Sequence, residues 1–349
     1  MRHRVQLTIH PLPPSDHRQL LEPTISATDN MITETIIAFA PATVANVGPG
    51  FDIMGFSLSG PGDEVCVSWT DAPGVTIAHI SGDGGKLPVD AERNCVGVVA
   101  AALLAARGIT RGVRLTLTKG LPLGSGMGSS AASSAAAALA VNTLIGSPFP
   151  PRELVRFAMI GEERACGAAH ADNVAPAILG GFVLVASYEP LTFVELPCPS
   201  SLFYAVINPD FVLETAVSRS VLPREVPLAT TIKQSAALAR LLCGLYQDDH
   251  ELITSSLVDY IAEPVRLPLI PGSETVKRAA IDAGGYNCTI SGSGPSLFSL
   301  CPSLEVAERV GQAMKGAFAT HDINATAHTG QITRHPPRIS IISPKSTDS

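Results

Sequence analysis

The stretch Pro122-Leu-Gly-Ser-Gly-Met-Gly-Ser-Ser-Ala-Ala132 decides how the chain is read. Gly124, Gly126 and Gly128 let the backbone turn tightly and bring its N–H groups close to a ligand. The alanine-rich helix expected over 127–145 aims its free N–H groups and the positive end of its dipole at the same spot. Together they form an anion site, most naturally for phosphate. Ser125, Ser129 and Ser130 add hydroxyls suited to phosphate oxygens or a metal ion. A glycine-rich turn before an ordinary helix cap gives the same pattern, so spacing alone leaves both readings open.

Two familiar phosphate loops are excluded. A Walker A loop ends in G-K-[ST], and no lysine follows Gly128. A dinucleotide fingerprint needs G-x-G-x-x-G and an acidic residue about 20 positions later; here the glycines alternate, and no Asp or Glu lies between Lys119 and Glu153. The whole pattern P-x-G-S-G-x-G-S-S-A resembles the second motif of the GHMP kinases, the family named for galactose, homoserine, mevalonate and phosphomevalonate kinases.

Composition narrows the function classes. The 349 residues are 46% hydrophobic with a formal net charge of −7, enough for a sizeable core and two ordinary domains. No Lys/Arg-rich run exists, so no nucleic-acid partner is expected. Seven scattered cysteines without a C-x-x-C pair fit free thiols in a reducing, cytoplasmic compartment. The apolar run 131–145 is too short and too rich in Ala and Ser for a membrane span, so a buried helix and no membrane partner are expected. Residues 1–33 carry Arg2, Arg4, Arg18 and several prolines without apolar periodicity, and read as a disordered extension. Weak organelle targeting, or a start at Met31, also fits this segment.

Along the chain, strands are expected at Thr35–Ala40, where Pro41 ends the first, Val65–Trp69 and Val113–Thr118. Helices follow at Asn94–Arg107, Met127–Ile145 and Arg152–Cys166, then a strand at Phe182–Ala186. After Pro190 come strands near 203–207, 287–291 and 296–300, with helices near 230–246, 273–283 and 303–318. Strands and helices mix without regular βαβ alternation, which predicts α+β rather than doubly wound α/β. The expected divisions are 34–188, 189–336 and a polar tail over 337–349.

Five further segments carry the remaining motif residues. In P-A-T-V-A-N-V-G-P-G-F-D, Asn46 and Asp52 stand out in an apolar stretch and suit local turn bonds equally well. In G-E-E-R-A-C-G-A-A-H-A-D-N-V-A-P, Glu162, His170, Asp172 and Asn173 cluster at a helix end and the next loop. Glu162 suits a magnesium ligand, yet Glu162 and Glu163 also fit a solvated helix face, and His170 a structural histidine. Thr215 and Arg219 lie in E-T-A-V-S-R-S-V-L-P and Arg266 in R-L-P-L-I-P-G; arginine grips carboxylates bidentately, although either one alone is usually a surface charge. Gly292 and Gly294 in I-S-G-S-G-P-S read as a hairpin turn.

These five segments resemble the remaining motifs of the GHMP kinases, in the form of the homoserine-phosphorylating members, over about residues 35–330. The resemblance implies the GHMP kinase fold: an N-terminal ATP-binding domain like the second domain of ribosomal protein S5, and a ferredoxin-like C-terminal domain. It implies ATP and L-homoserine as substrates, Mg2+ as cofactor, a homodimer and a place in threonine biosynthesis. It assigns the nucleotide to Asn94, Pro122, Gly124, Ser125, Gly126, Gly128, Ser129 and Ser130. Ser130 and Glu162 fall to the metal, and Asp172 and Asn173 join them at the reacting end. Asn46, Asp52, His170, Thr215, Arg219 and Arg266 fall to the amino acid. No motif holds a lysine of the kind mevalonate kinases use to lower the hydroxyl pKa, which leaves Asp172 as the in-motif candidate base. Another GHMP kinase, a non-catalytic sensor on this fold and a nicotinamide-dependent dehydrogenase stand as the alternatives.

Overall fold

The computed structural model describes residues 34–332, 334 and 337–342. The expectations for 1–33 lie outside these residues. Eleven strands and ten α-helices occur among the described residues. In chain order they are β1 (Thr35–Ala45), β2 (Met54–Thr70), β3 (Val75–Ser81), α1 (Cys95–Ala106), β4 (Gly112–Thr118), α2 (Ser129–Leu144), α3 (Pro151–Cys166) and α4 (Ala171–Leu179). Then come β5 (Phe182–Tyr188), β6 (Leu191–Glu195), β7 (Phe203–Pro209), α5 (Thr215–Ser220), α6 (Leu228–Gln247), α7 (His250–Ser256) and α8 (Glu263–Arg266). The chain continues with α9 (Ser273–Asp282), β8 (Cys288–Ile290), β9 (Leu297–Cys301), α10 (Leu304–Ala319), β10 (Ala325–Gln331) and β11 (Arg338–Ile342).

A seven-stranded sheet runs β11-β1-β2-β4-β3, with β5 paired to the first part of β2 and β6 paired to β5. A four-stranded antiparallel sheet runs β10-β7-β9-β8. The mixed α+β expectation holds. Alternation explains the first sheet: Ile36, Ala38 and Ala40 of β1, Val65 and Val67 of β2, and Val113, Leu115 and Leu117 of β4 all turn to one buried face. Helices α1 to α4 cover that face. In α2 nearly every residue is buried, because alanines let the neighbouring elements approach its backbone from all sides.

The two sheets meet at an aromatic cluster. Phe56 of β2 lies 5.0 Å from Phe182, 5.7 Å from Phe298 and 6.1 Å from Tyr204, ring centre to ring centre. All four are fully buried, so each contributes about 2–3 kcal/mol of apolar transfer. The other face of the small sheet is closed by α9 and α10 through Val276, Ala280, Val310, Met314 and Phe318. None of the described helices is long and apolar enough to cross a membrane.

Several boundaries differ from the sequence reading. β1 runs through Pro41 to Ala45, because the proline sits where the β1–β2 register shifts and a lost N–H is tolerated. β2 starts at Met54, so Gly55 is a strand residue: a Cβ there would lie 1.9 Å from the Asp172 carbonyl oxygen. β6 lies in the first sheet, which carries that layer past the expected 188/189 division. The polar tail expected from 337 is corrected too: Arg338–Ile342 forms an edge strand antiparallel to β1, its isoleucines supplying strand propensity. The tail's remainder, 343–349, lies outside the described residues.

Candidate active site

A cavity of about 570 Å³ opens between the loop before α2, the ends of α1 and α3, the start of α4, and the segments carrying Arg219, Arg266 and Gly292. The phosphate loop is tied down from behind. Gly126 has φ +76°, and a Cβ there would lie 2.6 Å from the Gly294 carbonyl oxygen, so the loop and the β8–β9 turn touch backbone to backbone. Gly128, the N-cap of α2, has φ +66° and supplies no side-chain cap, which leaves the first-turn N–H groups for a ligand in the cavity. The loop's hydroxyls divide between two tasks. Ser125 Oγ accepts from Met127 N at 3.3 Å and Ser129 Oγ donates to the Leu121 carbonyl at 3.3 Å, so both brace the loop while lining the cavity. Ser130 faces Glu162.

Glu162 decides the α3 end. It is 5% exposed, which removes the solvated-face reading; its neighbour Glu163 is exposed. Burial pushes the Glu162 carboxyl up to about 7, against a lowering by the Ser130 hydroxyl and by Lys119. Its Oε1 has no hydrogen-bond partner. An orphaned buried carboxylate oxygen beside a serine hydroxyl is a hard-oxygen pair that fits Mg2+. No group of three or more His, Cys, Asp or Glu is placed to hold a metal ion by itself among the described residues. A cation here would therefore take its other ligands from phosphate oxygens and water. Asp172, in the first turn of α4, is 2% exposed, with Oδ1 unpartnered. Burial, then Asp52 and Glu162, push it up to about 7. Asn173 beside it is held by Thr43, whose hydroxyl donates to Asn173 Oδ1 at 2.7 Å.

At the other end, charge is arranged around the 46–52 loop. Asn46 and Asp52 both adopt left-handed backbone, which Asn and Asp tolerate better than other side chains. Asn46 Oδ1 accepts from Asp52 N at 2.7 Å, and Asn46 Nδ2 donates to the Gly292 carbonyl at 2.8 Å. Turn-building and cavity-lining are thus one arrangement. Asp52 accepts from both Nη atoms of Arg219, at 2.8 and 3.3 Å, and lies 3.8 Å from His170 Nδ1. Burial holds the His170 imidazole below its usual pKa, with Asp52 opposing. Arg266 is 2% exposed and donates to the carbonyls of Ser218 at 3.1 Å and Gly292 at 3.2 Å. Thr215 Oγ1 lies 3.3 Å from Ser293 Oγ on the cavity wall.

The cavity gathers every expected site residue except Pro122, which is exposed outside the lining. Pro122 directly precedes the lining residue Leu123. Asn94 is the N-cap of α1, its Oδ1 accepting from Val96 N. Sequence reasoning missed Lys119, which lines the cavity fully buried. Its ammonium pairs with Asp63 and donates to the Ser129 carbonyl at 2.8 Å and Ser133 Oγ at 2.9 Å. The signal was present: Lys119 continues the buried phase of Val113, Leu115 and Leu117. Tyr188 was missed as well. Its hydroxyl donates to the Asp52 carbonyl at 2.7 Å and accepts from Ala171 N at 3.3 Å, bridging two motifs.

A phosphate loop at an uncapped helix start, closed by a second glycine loop and facing a buried carboxylate, is the arrangement of a GHMP kinase. Residues 94–181 match the family model for the GHMP kinases N terminal domain and 241–320 that for the GHMP kinases C terminal. The chain belongs to the GHMP kinase family. Homoserine kinases are among its relatives there. That of Chlorobium phaeobacteroides is 49% identical over 83% of this chain and 94% of its own length. That of Arabidopsis thaliana is 43% identical over 81% of this chain and 78% of its own. The crystal structure of homoserine kinase from Cytophaga hutchinsonii superposes with a TM-score of 0.86 at 45% identity, covering 90% of this chain and 100% of that one.

Proposed function

We propose that the chain transfers the γ-phosphoryl group of ATP to the side-chain hydroxyl of L-homoserine, giving O-phospho-L-homoserine and ADP in threonine biosynthesis. The observation that carries this reading is the pair Arg219 and Arg266 with Asp52 between cavity and loop: two cations and one anion, complementary to a substrate that brings a carboxylate and an ammonium. The phosphate loop lies in the same cavity.

In this reading the N–H groups at the start of α2, with Gly124 to Gly128, hold the phosphates, and Asn94 stands at the nucleoside end. Glu162 and Ser130 hold Mg2+, which supplies charge neutralisation of the phosphates. Arg219 and Arg266 hold the substrate carboxylate. Asp52 and Asn46 hold its ammonium, with Thr215 and His170 on the walls. Asn173, fixed by Thr43, orients the hydroxyl. Asp172, with a carboxyl pushed up to about 7, is placed to take the hydroxyl proton as the O–P bond forms. Phosphoryl transfer depends mainly on positioning and charge stabilisation, and these residues supply both. Lys119 keeps its partners Asp63 and Ser133 and braces the loop.

All seven cysteines are unpaired, which supports a reducing, cytoplasmic setting. The homodimer rests on the family resemblance, and light scattering decides it. The function itself is tested by complementation of a bacterial strain that lacks homoserine kinase and requires threonine. Growth without threonine is expected; no growth despite soluble expression contradicts the assignment.

A further inference from the structure

Phe51 has an unusual position for a large apolar side chain. It is partly buried, yet it belongs to none of the three hydrophobic clusters of the molecule. Its ring is faced by cations. The Arg266 guanidinium carbon lies 5.0 Å from the ring centre and that of Arg219 lies 5.9 Å away. Both distances fall within cation–π range. The two guanidiniums repel each other, and the Arg219 charge lowers the pKa of Arg266, second to burial. Asp52 pairs directly with Arg219, while Arg266 donates to backbone carbonyls and has Asp52, Asp259 and Asp172 as compensating charges beyond hydrogen-bond distance. The Phe51 ring is a further element that both guanidiniums approach.

We infer that Phe51 is a positioning residue for the substrate carboxylate: its ring steadies the guanidiniums of Arg219 and Arg266 that bind it. This rests on the assignment of the two arginines under the proposed function. The ring is itself fixed from the loop side, since Gln234 Nε2 donates to the Pro49 carbonyl at 3.1 Å and Asn46 receives Asp52 N. Phe51 does not itself line the cavity, so its influence should reach the amino-acid end through the two arginines.

Steady-state kinetics of Phe51→Leu, Phe51→Ile and Phe51→Tyr, each checked by thermal melting, test this. The aliphatic variants keep volume and lose the π face; Tyr keeps the face. The KM for L-homoserine should rise roughly 3- to 30-fold in Leu and Ile, the span of one or two cation–π contacts, with KM for ATP unchanged and Tyr restoring the native value. Binding of 3-amino-1-propanol, which has the ammonium and hydroxyl and lacks the carboxylate, should be the same in native and variant proteins. The inference is overturned if Leu and Ile keep the native homoserine KM, if both substrates' KM values rise together, or if Tyr is as impaired as Leu. Arg219→Ala and Arg266→Ala, run alongside, separate the two claims. If they leave homoserine KM unchanged, the substrate site itself is misassigned; if they raise it while Phe51→Leu does not, only the role of Phe51 fails.

Discussion

Asp52 and Arg219 form a two-pronged ion pair, with the carboxylate oxygens 2.8 and 3.3 Å from the two Nη atoms. The chain's own carboxylate thus sits on the fork assigned to the substrate carboxylate, while Arg219 Nε is buried without a partner. Removing the fork should cost homoserine binding specifically. Losing one partner of a desolvated charge pair costs about 2–5 kcal/mol, so Arg219→Ala and Arg266→Ala should each raise KM for L-homoserine about 30-fold or more. KM for ATP should change little. Initial-rate kinetics with one substrate saturating measures both, and unchanged homoserine KM in both variants would reduce these arginines to structural charges.

Glu162→Gln should lower kcat by about 100-fold or more and raise the Mg2+ concentration needed for half-maximal rate, since a ligand acting on transition-state charge is lost. It should not lower the melting temperature, because Oε1 has no partner to lose and burial already disfavours the charged form. Native kcat at low Mg2+ would take Glu162 out of the metal site.

Asp172 gives a pH signature in stability. Its carboxyl is pushed up to about 7 in the folded chain, against about 4 when unfolded. Between those values the folded state binds more protons than the unfolded one, so stability falls as pH rises through this window. Asp172→Asn removes the penalty. In chelator-treated protein its melting temperature should match the native one below pH 4 and exceed it by a few degrees at pH 8. A variant less stable than native at pH 8 would mean that the carboxylate is stabilised by partners the structure does not show.

Behind the phosphate loop, Asp63 accepts from Lys119, Ser133 Oγ, Gly120 N and Leu121 N. Asp63→Ala strands a buried ammonium, which should cost about 3–5 kcal/mol. Denaturant melts should show that loss, and Asp63→Ala with Lys119→Met should recover a good part of it. No recovery in the double variant would show that the pair is not what Asp63 contributes.

The residues that line the cavity were legible where they fall in motifs. Side chains that meet a ligand come in short runs, and Asn46, Glu162, Asp172 and Arg266 each sit in such a run. The distant partners do not. Asp63 reaches Lys119 across 56 positions and Thr43 reaches Asn173 across 130, so only the pairing of β2 with β4 and the packing of α4 on β1 bring them together. Lys119 was the exception, readable from strand alternation yet outside any motif. Among the elements, the long amphipathic helices and Val113–Thr118 were legible because their period is strong. The short elements were not. α5 and α8 span 6 and 4 residues, too few to show a period; Asp259 accepts from the Ile261, Ala262 and Glu263 N–H groups at the start of α8 and so places Arg266. β10, A-T-A-H-T-G-Q, has no apolar alternation and is a strand because β7 pairs with all seven of its residues.

The most direct test of the account is the rate of ADP release by the purified chain with ATP and Mg2+, measured side by side with L-homoserine, L-serine, mevalonate and galactose, with the phosphorylated product identified by phosphorus NMR. The account predicts fastest turnover with L-homoserine and a phosphomonoester on its side-chain oxygen. Faster turnover with mevalonate or galactose, or no turnover with any of the four, would contradict it.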